Sequence, residues 1–276
     1  MKLATLRTTA GTTAALIEED DAILLSYSDA GAALQAAPFA KLGQATTGES
    51  IPLAEAQFAP VVPRPSKIIC VGLNYADHIA EMGNAPPSAP TCFAKFADAL
   101  VGATDRIHLP DPMISAMVDW EVELAVVIGA SVRHASVSEA RRAIAGYTVL
   151  NDISMRDWQK RTSQFLLGKT WEHATPVGPW ITGADELGDG SGLAVRCSVN
   201  GITKQQSNTS ELVFGAVDLV SEISKVITLT PGDIIATGTP GGVGFGRDPQ
   251  EFLADGNILE TEIDGIGKLT NHCLQV

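Results

Sequence analysis

Residues 119–128, Asp-Trp-Glu-Val-Glu-Leu-Ala-Val-Val-Ile, alternate with the period of an extended strand. Successive side chains of a strand point to opposite faces. One face therefore carries Trp120, Val122, Leu124, Val126 and Ile128 and is entirely apolar. The other carries Asp119, Glu121 and Glu123, followed by Ala125 and Val127. Taken alone, this fits an ordinary half-exposed strand with its acids in water. The apolar continuation of the acidic face argues for something else, because a solvated face would stay polar along its length. Carboxylates lined up beside apolar positions repel one another unless a cation lies between them.

The rest of the chain gives such a strand a core to sit in. The chain has 276 residues, 45% of them apolar and 18% charged, enough for one large domain or two unequal ones. Residues 1–63 read as a small N-terminal α+β domain: weakly alternating segments at 12–17 and 22–27, then an Ala-rich helical stretch at 30–37. The proline-marked run Val61-Val62-Pro63-Arg64-Pro65 reads as a linker into a larger domain over 64–276. There, strands are expected at 67–72, 119–128, 146–150, 193–199, 234–237 and 258–263. Helical segments are expected at 77–82, at 137–144 with Ser138 as the capping signal, and at 214–224. Strands outnumber helices and do not alternate regularly with them, which argues against a doubly wound sheet and for a mixed, β-rich α+β fold.

A third carboxylate is offered by Asp152, in Asn151-Asp152-Ile153-Ser154-Met155-Arg156-Asp157-Trp158-Gln159 at the end of the 146–150 strand. Asn-Asp is also ordinary turn chemistry. Glu121, Glu123 and Asp152 would make an oxygen-only site. Such a site selects Mg²⁺ or Mn²⁺, with Ca²⁺ as a third candidate, over zinc or copper. His78 and Glu81 stand three residues apart in a helical turn, where a carboxylate can orient an imidazole as a general base; a solvated pair is the plainer reading. Residues 235–244, Ile-Ala-Thr-Gly-Thr-Pro-Gly-Gly-Val-Gly, form a glycine-rich turn that is neither a P-loop nor a dinucleotide fingerprint. Its exposed amides and the Thr239 hydroxyl could hold a carboxylate, or it is simply a tight turn.

Composition narrows the partners. A formal net charge of −13 repels phosphate backbones, so nucleic acid is not expected. Small anions would be repelled too, unless a bound metal supplied a local positive centre. No apolar run reaches the length of a membrane-spanning helix and no signal peptide is read at the N-terminus, so no membrane partner is expected and the expected location is the cytoplasm. Cys70, Cys92, Cys197 and Cys273 contain no C-x-x-C pair, which argues against a zinc ribbon or redox dithiol.

Seven motifs follow one another in order: V-G-L-N-Y-x-x-H-x-x-E, E-V-E, N-D-I-S-x-R-D-x-Q, G-K, P-V-G-P-W, V-N-G with S-N-T-S-E-L-V-F, and T-G-T-P-G-G-V-G. Together they resemble the fumarylacetoacetate hydrolase family from about residue 66 onward. The resemblance implies a β-sandwich roll around a metal site, usually in a homodimer. It implies Glu121, Glu123 and Asp152 as metal ligands for Mg²⁺ or Mn²⁺. His78 and Glu81 match a water-activating pair on a mobile lid, with Lys169 as a third catalytic residue. Arg156, Gln159, Thr239 and Lys95 match groups that bind the substrate, a small 2-oxo acid. Two departures are visible. Residues 69–75 contain no acid to match the fourth metal carboxylate of the larger fumarylacetoacetase, and Leu73 stands where some relatives have arginine.

The expected reaction is hydrolysis of an acylpyruvate, such as maleylpyruvate or fumarylpyruvate, to pyruvate and a carboxylic acid. His78 would activate water and Lys169, with Gln159, would stabilise the oxyanion. Decarboxylation of oxaloacetate and isomerisation of 2-hydroxyhepta-2,4-diene-1,7-dioate use related chemistry and stay open. A non-catalytic metal-binding scaffold is the reading from another class.

Overall fold

In the computed structural model, which describes every residue except 82, 84 and 86, the chain starts as a meander of β1 (Lys2–Thr8), β2 (Gly11–Glu18) and β3 (Asp21–Leu25). The helix α1 (Ala30–Ala36) follows, capped by the Asp29 side chain, which accepts from the Ala32 amide. Then β4 (Thr46–Pro52) returns to pair with β3. Next come β5 (Ile68–Gly72), the short helix α2 (Ala76–Glu81) and β6 (Thr91–Lys95). Three short strands, β7 (Leu100–Val101), β8 (Ile107–Leu109) and β9 (Val118–Asp119), precede β10 (Val122–Ile128). The chain continues through α3 (Val137–Ala143), β11 (Ile144–Asn151), β12 (Ser154–Met155), α4 (Arg156–Gln159), α5 (Leu166–Lys169), β13 (Thr175–Gly183) and α6 (Ala184–Leu187). It ends with β14 (Ala194–Val199), β15 (Ile202–Asn208), α7 (Ala216–Ser224), β16 (Ile234–Ala236), β17 (Ile258–Ile263) and β18 (Gly267–Gln275).

The result is the mixed, strand-rich α+β fold expected. Among the described residues, one large sheet runs β4-β3-β2-β1-β13-β11-β10-β16-β5-β6, with β7 beside β13. A second sheet runs β15-β14-β17-β18-β8. The two meet face to face. Val122, Leu124, Val126 and Ile128 of β10 share a buried cluster with Val195 and Cys197 of β14, Leu259 and Ile263 of β17 and Leu269 of β18. Ala125 and Val127 point the other way, into a cluster with Leu3, Leu16 and Leu34. Every residue of β10 is buried, so this strand sits between two cores. Its acidic face turns apolar because it runs out of a polar pocket and into the second core.

The four N-terminal strands continue the large sheet, since β1 pairs antiparallel with β13. Val61 and Val62, in the proline-marked stretch, are buried, and the Thr5 hydroxyl donates to the Val61 carbonyl at 2.7 Å. No helix among the described residues is long and apolar enough to cross a membrane.

Three local expectations change. The strand at 119–128 is interrupted at Trp120-Glu121, because Asp119 pairs with Ser154 of β12 whereas Val122 onward pairs with β11. Ser136, not Ser138, caps α3: its hydroxyl accepts from the Glu139 amide while the Glu139 carboxylate accepts from the Ser136 amide. The helix expected from residue 214 begins at Ala216, because Gly215 is extended (φ −67°, ψ 164°) and stands as its N-cap. Residue 82, the expected end of the helical turn at 77–82, lies outside the described residues.

Candidate active site

Strand order and direction gather the expected residues at one end of the large sheet. In the antiparallel β10/β11 pair Val122 faces Asn151, so the next residues, Glu121 and Asp152, are neighbours, and the Asp152 amide donates to the Glu121 carbonyl at 2.8 Å. β16 runs antiparallel to β10 and parallel to β5. The ends of β5 and β16 therefore lie beside the start of β10. The first leads into α2 with His78 and Glu81, and the second into the glycine-rich turn. At this edge the carboxylates of Glu121, Glu123 and Asp152 each offer an oxygen within 4.8 Å of the others, and all three residues are buried.

Fixed cations surround the three acids. The Lys169 ammonium lies 2.5 Å from Glu121 Oε2 and 2.8 Å from Asp152 Oδ2. Lys95 donates to Asp152 Oδ1 and to the Ile153 carbonyl. Arg156 Nη1 is 2.7 Å from Glu121 Oε1, its Nε donates to Asp119 Oδ2 at 2.8 Å, and Nη1 also donates to Gln159 Oε1 at 3.0 Å. Burial pushes the Glu121 carboxyl up, but Lys169 and Arg156 outweigh it and hold its pKa at about 2. Burial likewise opposes the charge on Lys169, yet Asp152 and Glu121 raise its pKa above the ordinary value. Glu123 is different. Burial, then Asp152 and Glu121, push its pKa well up, and the Gly238 amide at 2.8 Å is the hydrogen bond that opposes them.

That imbalance tests whether a metal fits. Four carboxylates (Asp119, Glu121, Glu123, Asp152) against three cations (Lys95, Arg156, Lys169) leave one negative charge unmatched, and it falls on Glu123. A hard divalent ion among the three clustered oxygen donors would match it and leave the site one charge positive. The residues present fit a divalent metal.

The acids open onto a cavity of about 370 Å³. Glu121, Glu123, His78, Arg156, Gln159, Lys169 and Thr239 are among its polar lining residues. Phe93, Phe165, Val71 and Leu73 form the apolar wall. Asp152 and Lys95 are not among the lining residues; Asp152 meets the lining residue Lys169 at 2.8 Å and pairs with Lys95. Lys95, expected to contact substrate, has Asp152 and the Ile153 carbonyl as its partners within the chain. His78 Nδ1 lies 3.0 Å from Glu81 Oε2, as the spacing predicts. Burial raises the Glu81 pKa, but the hydrogen bonds from His78 and the Gly242 amide prevail and lower it.

The glycine-rich turn differs from the expectation. Its amides serve the chain's own acids: Gly238 donates to Glu123, Gly242 to Glu81 at 2.9 Å, and Gly244 and Phe245 to Asp119 at 2.7 and 3.0 Å. Those four amides are engaged by side chains that build the site. The Thr239 hydroxyl does line the cavity, held by the Gln205 side-chain amide at 2.8 Å.

Four features were not read from the sequence. Asp119 was grouped with the other acids by strand alternation, but the interruption after it turns its carboxylate to Arg156 and the glycine turn. Gln205 joins the Val122 amide to Thr239 and the Pro240 carbonyl, and nothing in its β-strand setting signals that. Lys160 and Phe245 add a cation and a ring to the cavity. Leu73 has φ +54°, a region that branched and bulky side chains rarely adopt. The neighbouring Asn74, buried and bonded to the Phe214 and Thr237 carbonyls, holds that backbone in place.

Comparison with known proteins follows the same lines. The family model described as fumarylacetoacetate (FAA) hydrolase C-terminal matches residues 67–274. The chain is 45% identical over 222 residues to the oxaloacetate tautomerase Fahd2a, mitochondrial, of Rattus norvegicus, covering 80% of this chain and 70% of that one. A solved 2-hydroxyhepta-2,4-diene-1,7-dioate isomerase from Mycobacterium marinum is 34% identical with a TM-score of 0.83, over 100% of this chain and 98% of that one. The fumarylacetoacetate hydrolase from psychrophilic Exiguobacterium antarcticum superimposes with a TM-score of 0.89 at 29% identity, over 100% of both chains.

Proposed function

The chain belongs to the fumarylacetoacetate hydrolase family, and from that premise we propose that it catalyses proton transfer at the carbon beside the 2-oxo group of a small carboxylic acid, interconverting the keto and enol forms of an oxaloacetate-type substrate. One observation carries this reading: an imidazole oriented by a carboxylate shares a 370 Å³ cavity with Glu121 and Glu123 of a buried, cation-flanked carboxylate triad. A divalent ion held by Glu121, Glu123 and Asp152 would supply positive charge that acidifies the carbon next to the 2-oxo group. Glu81 on Nδ1 makes Nε2 the ring atom of His78 that exchanges the proton. Lys169 offers an ammonium to the oxygen that becomes negative. Arg156 Nη2, buried and without a partner among the described residues, offers a donor for the substrate carboxylate. The name of the 45% identical relative supports the proton-transfer reading.

Hydrolysis of an acylpyruvate is the second reading, favoured by the same His78–Glu81 contact, which also suits the activation of a water molecule. The two are separated by product. With Mn²⁺ present, the protein is expected to accelerate loss of the ultraviolet absorbance of enol-oxaloacetate without releasing pyruvate. His78→Ala is expected to lower the rate by about 100-fold or more while Mn²⁺ binding persists. Pyruvate released from acetylpyruvate at a comparable kcat/KM would transfer the assignment to hydrolysis. Neither activity, across a panel of 2-oxo acids, would leave a metal-binding scaffold.

A further inference from the structure

His108 and His173 are distant in sequence, and neither stands in a local motif. The fold brings them together. β8 carries His108 between the buried Ile107 and Leu109, so strand alternation turns its imidazole to the opposite side. His173 lies just before β13 in the left-handed region, at φ +53°. A residue with a side chain keeps that conformation only where the surrounding structure fixes it. Here the backbone is fixed on both sides. The His173 amide donates to the Asp98 carbonyl at 3.0 Å, and its carbonyl accepts from the His108 amide at 2.9 Å. The two rings meet edge to face, with centroids 5.1 Å apart and planes at 69°.

The pair lines a cavity of about 410 Å³ that shares no lining residue with the cavity of the acidic triad. Asp111 and Glu172 line it too, and no lysine or arginine does. His78 has Glu81 beside its ring and His134 has Arg133, whereas among the described residues neither ring of this pair has a hydrogen-bond partner. Two unpartnered imidazoles beside two carboxylates suit a cation. Imidazole nitrogen selects its kind: Zn²⁺, Ni²⁺ or Cu²⁺, rather than the hard ions that an oxygen-only triad takes. We propose that His108 and His173 form a second metal site, which holds a borderline transition-metal ion through two ring nitrogens and clamps β8 to the segment entering β13. Among the described residues no third side chain completes a set of three with them, so water fills the remaining positions and the ion is exchangeable. The site is independent of the reaction proposed for the triad.

The test is metal binding by the whole chain with Mg²⁺ in excess, which occupies oxygen donors and leaves imidazoles free. Zn²⁺ is titrated calorimetrically, and Cu²⁺ is added in equimolar amount for electron paramagnetic resonance. The wild-type chain is expected to bind Zn²⁺ and to give a Cu²⁺ spectrum split by imidazole nitrogen. His173→Asn keeps a residue that tolerates the left-handed backbone, and His108→Gln keeps a polar side chain on the strand. Each should weaken Zn²⁺ binding about tenfold or more and reduce the nitrogen splitting, with Tm unchanged when Zn²⁺ is left out. Glu123→Gln should leave both readouts as in wild type. Zn²⁺ affinity that survives both histidine substitutions, or a Cu²⁺ spectrum with oxygen donors alone, overturns the inference. So does Zn²⁺ binding that is lost in Glu123→Gln and kept in the histidine variants, which would put the ion at the triad.

Discussion

Asp119 is fully buried, and its carboxylate accepts from the amides of Trp120, Gly244 and Phe245 and from Arg156 Nε. Removing a charge from water is affordable only when donors replace the lost hydration, and four do so here. The same bonds tie Arg156, which holds Glu121, to the turn that carries Phe245 and receives Glu81. Asp119→Ala should therefore cost about 3–5 kcal/mol in urea unfolding, the range for breaking a buried pair. Asp119→Asn keeps an acceptor for the turn and should cost less. Equal stability of wild type and Asp119→Ala would show that the turn and Arg156 are held by other contacts.

At the scale of elements, α2 is six residues long, too short to persist as an isolated helix. It holds its place through the buried Ile79 and through Glu81, which bridges His78 and the Gly242 amide. The Glu81 pKa is lower in the folded chain than the ordinary 4.5. Its contribution to docking α2 is thus complete above pH 4.5 and is lost as pH falls through the lower folded value. Limited proteolysis at 76–81 should accelerate on acidification, and Glu81→Gln should remove most of that pH dependence. A cleavage rate that stays flat in wild type through this window would contradict the role given to Glu81. The glycine turn opposite has a matching constraint: a Cβ on Gly246 would lie 2.9 Å from Glu81 Cδ.

At the scale of the whole molecule, the three clustered acids come from the edge of the central β10/β11 pair, so a metal bound there stabilises the entire sheet. A ligand at 100 times its Kd adds about 2.7 kcal/mol to unfolding, which for a chain of this size is a rise in Tm of about 5 °C. Mg²⁺ or Mn²⁺ should produce that rise, a chelator should reverse it, and Glu123→Gln should diminish it. An unchanged Tm with saturating Mn²⁺ would remove the case for a metal centre.

Much of this was written in the chain. Period-two patterning located β10 and its acidic start, and the i, i+3 spacing of His78 and Glu81 gave a contact that forms at 3.0 Å. Both are local: strand pleat and helical turn fix which side chains share a face, whatever the rest of the fold does. What tertiary structure decided was partnership between distant segments. Nothing local tells Asp119 to leave its strand mates for Arg156 and Gly244, or tells Gln205 to join β10 to Thr239 across 34 residues. The amides of the glycine turn looked available for a ligand and are instead used by Glu123, Glu81 and Asp119. Buried polar groups must be satisfied, and which partner satisfies each one depends on which elements the two cores bring together.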